Sequence, residues 1–135
     1  MIFFDSNVIV DCFIKKYSNG MENPRHKRAV ELWKSISETK IISNLVRIEV
    51  INVLYLKHGK DKELIKKVYN GLLNDFEIIE DSEYYDYGFE KLYKSSGNLS
   101  LTDCIYLAVM EDYDIKKIVS FDPSFDDYKG VKRIH

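Results

Sequence analysis

Two aspartates directly follow short apolar segments that are typical of buried strands. Asp5 comes after Ile2–Phe4, and Asp122 comes after residues 118–121. In a parallel sheet, ligands bind beyond the carboxyl ends of the strands, so acids at these two positions could bind a metal ion. Each residue also has a purely structural interpretation, because Asp is a favoured helix N-cap and a common first residue of a turn.

Glu49 is expected to lie on the apolar face of a helix. On a helical wheel of residues 45–57 it falls between Leu56 and Val53, and no basic residue lies three or four positions away. A carboxylate that faces a core is strongly destabilising unless it is paired or binds a metal. Glu49 is therefore a candidate ligand. A distant basic partner, or a helix that is partly exposed, is the alternative interpretation.

Asp103 lies three residues after Ser100, a spacing that resembles a capping box at the start of a helix. The same position could also present a carboxylate to a cleft. Carboxylates brought close together repel one another unless a cation neutralises them. Oxygen ligands favour Mg²⁺ or Mn²⁺ over Zn²⁺, and the three histidines form no pair at metal-ligand spacing. The predicted ligands of this metal site are Asp5, Glu49, Asp103 and Asp122.

Short apolar strands alternate with longer helical segments along the whole chain. Strands are predicted at residues 2–4, 40–42, 76–79, 118–121 and 131–134, and helices at residues 7–17, 25–37, 45–57, 61–73, 82–95 and 100–113. Helices between successive strands imply crossover connections and a mostly parallel sheet of four or five strands. The predicted fold class is α/β, in a single domain that spans residues 1–135.

The charge balance argues against a protein that binds nucleic acid through positive charge alone. The chain has 20 Lys and Arg against 22 Asp and Glu, a formal net charge of −2. If four acids bind a metal, the remaining balance is +2, which is compatible with a nucleic-acid substrate. Cys12 and Cys104 have no close Cys or His partner and are expected to be reduced thiols. Without a visible signal peptide or apolar span, a cytoplasmic location is expected.

The order of these motifs resembles a known family. The chain opens with Ile-Phe-Phe-Asp-Ser-Asn, carries an acid inside an early apolar helix, continues with Leu-Thr-Asp at a late helix start, and then has Ser-Phe-Asp-Pro-Ser-Phe. This order, over residues 5–125, is similar to that of a PIN domain and of the VapC toxins of toxin–antitoxin pairs. The resemblance implies a PIN-like three-layer α/β/α fold and cleavage of RNA that depends on Mg²⁺ or Mn²⁺.

The resemblance also implies roles for individual residues and partners. The catalytic and metal-binding set maps to Asp5, Glu49, Asp103 and Asp122. The polar helper after the first acid maps to Asn7 or Ser6, the hydroxyl before the last acid maps to Ser120, and Asp126 could support the site. Candidate RNA contacts, each with a solvated surface as the alternative, are Lys15, Lys16, Arg25, Lys27 and Arg28. Implied partners are RNA, a VapB-type antitoxin and a second copy of the chain.

Three alternatives were weighed against this interpretation. A haloacid-type phosphatase needs a second acid two residues after the first, and that position is Asn7. A phospho-accepting receiver domain fits poorly, because its expected acids and late lysine do not match the strand ends. A PIN-like module that binds RNA or a partner without cutting is disfavoured by the presence of all four acids. No glycine-rich nucleotide-binding motif occurs.

Overall fold

Five strands form one sheet in which every neighbouring pair is parallel. The computed structural model describes residues 1–135. The strands are β1 (Ile2–Phe4), β2 (Lys40–Ser43), β3 (Glu77–Ile79), β4 (Lys117–Val119) and β5 (Lys132–Ile134). Their order across the sheet is β3-β2-β1-β4-β5. The predicted α/β class is confirmed, and the carboxyl ends of all five strands meet at one edge of the sheet.

Helices occupy the connections between the strands, as the alternation of segments predicts. They are α1 (Ser6–Phe13), α2 (His26–Ser35), α3 (Asn44–Asn52), α4 (Lys62–Asp75), α5 (Tyr85–Lys94) and α6 (Leu101–Asp112). A π-helical turn, Val53–Lys57, extends α3, and 3₁₀ turns cover Ser82–Tyr84 and Pro123–Asp127. No helix has both the length and the apolar composition that crossing a membrane requires.

Helix α1 ends four residues earlier than its sequence pattern predicts. The predicted helix runs to residue 17, but regular structure stops at Phe13 and Ile14 is extended. The buried side chain of Asn23 donates to the carbonyl of Ile14 (2.8 Å), and the Asn23 amide donates to the carbonyl of Lys15 (3.0 Å). These bonds from a later loop replace the helical bonds, and a tertiary contact of this kind leaves no local sequence signal.

Helices cover both faces of the sheet, and the alternation of β1 shows which helices lie on each. Phe3 packs its ring on Tyr106 of α6, with 5.2 Å between ring centroids. Phe4 points the other way and packs on Phe76, at the end of α4, which in turn contacts Trp33 of α2. Phe3 and Phe4 are completely buried. The arrangement is a three-layer α/β/α fold with its apolar core on both sides of β1.

Helices α5 and α6 approach so closely that only glycine fits at one position of α5. A Cβ atom on Gly88 would lie 2.4 Å from Cγ1 of Ile105 and 2.9 Å from the Ile105 backbone. Ile105 lies in the first half of α6, two residues after Asp103. The packing of α5 therefore sets the distance at which the acid-bearing end of α6 lies from the rest of the fold.

Candidate active site

Asp5 is held at the carboxyl end of β1 by residues from two other parts of the chain. Its backbone is extended, and its amide donates to the carbonyl of Val119 (3.0 Å), which continues the β1–β4 ladder. The side chain does not cap α1. Instead, Oδ2 accepts from Ser120 Oγ (2.6 Å) and from Asn7 Nδ2 (2.8 Å). Asp5 as a whole is 5% exposed, so these donors replace water around one of its oxygens.

Asn7 and Ser120 also hold the segment that carries Asp122. Ser120 Oγ accepts from the Asp122 amide (3.0 Å), while Asn7 Oδ1 accepts from the Phe121 amide (3.1 Å). Asn7 Nδ2 lies 3.3 Å from Ser120 Oγ. Since Ser120 accepts from the backbone on one side, its proton is directed to Asp5. The start of α1 and the end of β4 are thus joined by one network of side-chain and backbone hydrogen bonds.

Glu49 corrects the helical-wheel prediction, because its side chain is exposed and does not face the core. Leu56, which defined the same predicted apolar arc, is 75% exposed. The wheel treated every apolar residue as buried, although large apolar side chains are common on protein surfaces. The buried face of α3 and the turn that follows it lies one step around the helix, at Val46, Val50 and Leu54.

Glu49 nevertheless lies beside the Asp5 network. Its Oε2 accepts from Ser6 Oγ (2.9 Å) and from the hydroxyl of Tyr106 (3.2 Å). Ser6 Oγ is also 3.4 Å from Asp5 Oδ1, but its single proton is directed at Glu49. The other carboxylate oxygen of Glu49 makes no hydrogen bond and is open to solvent. The network therefore fixes one oxygen of this carboxylate and leaves the second free to react or bind.

Asp103 makes the capping box that its spacing predicts. The Asp103 amide donates to Ser100 Oγ, and the Ser100 amide donates to Asp103 Oδ2, both at 3.1 Å. The side chain is half-buried, and Oδ1 accepts no hydrogen bond. Burial raises the pKa of Asp103, and repulsion from Asp122 and Glu49 raises it further. Asp103 therefore both caps α6 and lies close enough to Asp122 and Glu49 to be repelled by them.

Asp122 starts the turn Pro123–Asp127, and its Oδ1 accepts from the Ser124 amide (2.9 Å). The structural interpretation of this residue as a turn former is correct. Like Asp103, it uses one carboxylate oxygen to stabilise local backbone and keeps the other without a hydrogen bond. Asp122 is among the charges that raise the pKa of Asp103.

The electrostatics of the site disfavour negative charge. Burial raises the pKa of Asp5 to about 7, and repulsion from Asp103 and Glu49 adds to the shift, while hydrogen bonds from the Ser120 side chain and the Ser6 backbone oppose it. None of the six ion pairs within 4.0 Å includes any of the four predicted acids. The carboxyl edge of the sheet therefore carries acids that lack a close positive partner within the protein.

The chemistry of this donor set fits a hard divalent cation, although the acids are not yet arranged around one. Carboxylate oxygens are the ligands that Mg²⁺ and Mn²⁺ prefer. In the present arrangement no three His, Cys, Asp or Glu side chains lie at coordinating distances from a shared point. Their hydrogen bonds explain this, since Asp103 and Asp122 each turn one oxygen to the backbone.

Asp126 lies apart from these acids. Both of its carboxylate oxygens accept from Arg133, at 2.8 and 2.7 Å, and about half of the side chain is exposed. Arg133 also donates to the carbonyl of Ser120 (3.2 Å). Any influence of Asp126 on the site therefore passes through Arg133.

The predicted RNA contacts differ in how they are placed. Arg25 lies with its guanidinium carbon 5.4 Å from the ring centroid of Phe121, the residue before Asp122. Arg28 pairs with Glu31 (3.1 Å) and with the terminal carbonyl of His135 (2.9 Å). The remaining three, Lys15, Lys16 and Lys27, are exposed and make no ion pair.

Sequence reasoning missed two residues of the site. Tyr106 is completely buried, and its hydroxyl donates to Glu49. Its position one helical turn after Asp103 was the available signal. Ser43, the last residue of β2, is completely buried, and its hydroxyl has no hydrogen-bond partner. A serine at a strand end is too common to be noticed without the structure.

Comparison with known proteins identifies the family and the fold. The PIN domain family profile matches residues 2–131. Ribonuclease VapC13 of Mycobacterium tuberculosis is 26% identical over 131 residues, which are 94% of this chain and 98% of that protein. The crystal structure of VapC20 of M. tuberculosis, a sarcin-ricin loop cleaving toxin, superposes on this chain with a TM-score of 0.81 at 20% identity, and the alignment covers 97% of each chain. A Klebsiella pneumoniae toxin–antitoxin complex has a TM-score of 0.70 at 20% identity, covering 98% of this chain and 96% of that one. With all but its last few residues matched, the chain belongs to the PIN domain family.

Proposed function

We propose that this PIN domain is a VapC-type ribonuclease that hydrolyses RNA phosphodiester bonds with Mg²⁺ or Mn²⁺, in the cytoplasm, as the toxin of a toxin–antitoxin pair. The observation that carries the proposal is the group of four acids at the carboxyl edge of the sheet, with Asp5 tied to Ser120 and Asn7 at its centre. The family membership and the VapC ribonuclease relative support it. Residues 1–135 would form a single nuclease domain.

Asp5, Asp103 and Asp122 would hold the cation, each through an oxygen that makes only a weak hydrogen bond or none. When bound, a divalent cation stabilises charge on the attacked phosphate and eases deprotonation of water. Ser120 and Asn7 fix the direction of the Asp5 carboxylate. These contacts orient Asp5 before RNA arrives, which lowers the cost of organising the transition state.

Glu49 is suited to take a proton from the attacking water. It is exposed, and Ser6 and Tyr106 hold only its Oε2. The opposite oxygen can therefore reach water in the cleft, as a general base must. Asn7 occupies the position where a haloacid-type phosphatase needs its second acid, and its amide donates to Asp5. The site therefore lacks that enzyme's proton-transfer group.

RNA contacts and protein partners extend this proposal. Arg25, beside Phe121, would meet a phosphate next to the cleaved bond. The exposed Lys15, Lys16 and Lys27 would add weaker attraction, and Arg28 would do so once released from Glu31. A VapB-type antitoxin and a second copy of the chain are the proposed protein partners. The fold similarity to a toxin–antitoxin complex supports the antitoxin.

Cleavage of a mixed RNA pool tests the activity. The purified protein should cut RNA with Mn²⁺ or Mg²⁺, stop when EDTA is added, and lose activity by at least about a thousandfold in Asp5→Asn and Asp103→Asn. Glu38→Gln, at the opposite edge of the sheet, is the matched control and should cut normally. A folded, metal-loaded protein that leaves RNA intact would contradict the proposal and favour a PIN-like module that binds RNA or a partner without cutting.

A further inference from the structure

Ser43 carries the only buried side-chain nitrogen or oxygen in the molecule that makes no hydrogen bond. Its side chain is completely inaccessible to solvent. Buried hydroxyls are almost always paired, because an unpaired one forfeits its hydrogen bonds to water and destabilises the fold. Alanine at this position would avoid that cost. A serine here therefore indicates a partner that the hydroxyl meets in another state of the site.

The sheet places this hydroxyl beside Asp5. Phe3 of β1 pairs with Ile41 of β2. If the same parallel register is continued by two residues, Asp5 lies opposite Ser43. Both residues have extended backbones, so the alternation of the strands continues to them. Their side chains thus lie on the same face as Phe3, the face covered by α6. Neighbouring strands are only about 4.8 Å apart, so the two side chains are adjacent.

Ser120 lies on the other side of Asp5 in the same row. Strands β1 and β4 pair Phe3 with Ile118, and the same two-residue step brings Asp5 level with Ser120. The Asp5 carboxylate is therefore flanked by a serine on each neighbouring strand. Ser120 donates to Oδ2 at 2.6 Å, whereas Ser43 donates to nothing.

The two carboxylate oxygens of Asp5 are unequally bound. Oδ2 accepts from Ser120 and from Asn7, but Oδ1 has only a contact of 3.4 Å with Ser6, whose proton is directed at Glu49. An ionised carboxylate has room for about four hydrogen bonds or metal contacts. An acceptor that lacks a good donor and a donor that lacks an acceptor are thus next to each other at the edge of the sheet.

Capping of α3 does not explain the hydroxyl. Ser43 occupies the N-cap position of α3, yet its side chain makes no capping bond. The Leu45 amide donates instead to Oδ2 of Asp81 (2.7 Å), a carboxylate from beyond β3. The helix end is therefore satisfied from outside, and the Ser43 hydroxyl is free to serve the site.

We propose that Ser43 is a positioning residue for Asp5, and that its hydroxyl donates a hydrogen bond to Oδ1 of the Asp5 carboxylate when a divalent cation is bound. Ser43 and Ser120 would then hold Asp5 from both neighbouring strands. This inference rests on the metal-binding part of the proposed function and is independent of RNA cleavage.

Three serine variants of the full chain test the inference: Ser43→Ala, Ser43→Thr, and Ser35→Ala as a control at the opposite edge of the sheet. Mn²⁺ binding is measured by titration calorimetry with MnCl₂ alone, and thermal unfolding is followed in EDTA. Ser43→Ala should bind Mn²⁺ about tenfold more weakly, as loss of a residue that orients a metal ligand does. In EDTA its Tm should stay level or rise by up to about 5 °C, because an unpaired hydroxyl has been removed.

The other variants separate the hydroxyl from the shape of the side chain. Ser43→Thr keeps a hydroxyl and should retain most of the Mn²⁺ affinity, and Ser35→Ala should behave like the wild type in both measurements. Unchanged Mn²⁺ affinity in Ser43→Ala would overturn the proposal. An equal loss of affinity in Ser43→Thr, or a fall in the Tm of Ser43→Ala in EDTA, would do the same, by showing a packing or structural role.

The outcome of this experiment is distinct from that of the RNA assay. If the wild type binds Mn²⁺ and leaves RNA intact, the proposed activity fails and the Ser43 measurement still decides this inference. If the wild type and Asp5→Asn bind Mn²⁺ equally, Asp5 is not a ligand, and both the inference and the proposed metal site are wrong.

Discussion

The two edges of the parallel sheet treat carboxylates in opposite ways. At the amino edge, Glu38 lies between two cations, Lys117 Nζ at 2.8 Å and the terminal amine of Met1 at 3.8 Å. At the carboxyl edge, Asp5 has hydroxyl and amide donors and other acids around it. The hydrogen bond from Lys117 lowers the pKa of Glu38, while burial and repulsion raise the pKa of Asp5 to about 7.

The folded protein supplies cationic partners for Glu38 but none for Asp5, whose counter-charge must come from a bound ligand. Glu38 gains its counter-ions when the chain folds. Asp5 gains donors for one oxygen only and stays close to Asp103 and Glu49. Functional sites commonly retain such unfavourable arrangements, since a ligand later supplies the missing interaction. The predictions below test this contrast from its largest expected effect to its smallest.

Asp5→Asn should abolish a pH dependence of stability in the metal-free protein. Because folding raises the pKa of Asp5, the folded state retains a proton that the unfolded state loses between about pH 4 and pH 7. The contribution of Asp5 to the free energy of unfolding is therefore largest below about pH 4 and is lost as the pH rises through about 7. The pKa shift of Asp5 corresponds to a loss of about 4 kcal/mol in the free energy of unfolding. Urea unfolding in EDTA at several pH values measures it.

Asp5→Asn should be more stable than the wild type at pH 8 and nearly equal to it at pH 4. If instead the variant loses stability at pH 8, the buried carboxylate is stabilising in its charged form, and the contrast between the two edges is wrong. Asp81→Asn is an informative comparison, because Asp81 is equally buried but serves the backbone of α3.

Divalent cations should stabilise the wild type and act on the carboxyl edge alone. At 100 times its dissociation constant, a bound ion adds about 2.7 kcal/mol to the free energy of unfolding. The stabilisation should be greater at pH 8 than at pH 5.5, since the ion competes with the proton on Asp5. Thermal unfolding with and without Mn²⁺ checks this, and Asp5→Asn and Asp103→Asn should lose the effect. A similar rise in both variants would place the ion elsewhere.

Tyr106→Phe should reduce catalysis more than it reduces stability. The change removes a hydrogen bond to Glu49 (3.2 Å) while the ring keeps its packing on Phe3. We expect kcat for RNA cleavage to fall about tenfold, with KM nearly unchanged, and stability to change by about 1 kcal/mol or less. A wild-type kcat would show that Ser6 alone positions Glu49.

Glu38→Gln should have the smallest effect. Both Glu38 and Lys117 are well exposed, and ion pairs between exposed side chains contribute little. RNA cleavage and Mn²⁺ affinity should match the wild type, and any loss of stability should disappear in high salt, which screens the pair. A large loss of activity would mean that the two edges are coupled through the sheet.

The positions of strands and of strand-end acids were predictable from sequence, because both follow from local patterns. Apolar runs mark β1 and β4, and the parallel sheet brings their ends, and therefore Asp5 and Asp122, to one edge. The Ser100–Asp103 capping box was likewise predictable from spacing alone. In each case the information lies within a few adjacent residues.

The remaining features depend on contacts between distant residues. The exposure of Glu49 follows from how α3 rotates to bury Val46 and Val50, which a wheel of residue types does not determine. The early end of α1 follows from Asn23, nine residues after Ile14. The pairing of Asp126 with Arg133 requires β5 to be in place beside β4. None of these has a local signature.

Gly88 makes the acid cluster depend on a residue that touches none of its members. Its bare α-carbon lets α5 lie directly against Ile105, and Asp103 begins the same helix. Any larger side chain at residue 88 would push the start of α6 outward and move the Asp103 carboxylate away from the other three acids. The alignment of four acids that are distant in the sequence therefore depends on the absence of a side chain at residue 88.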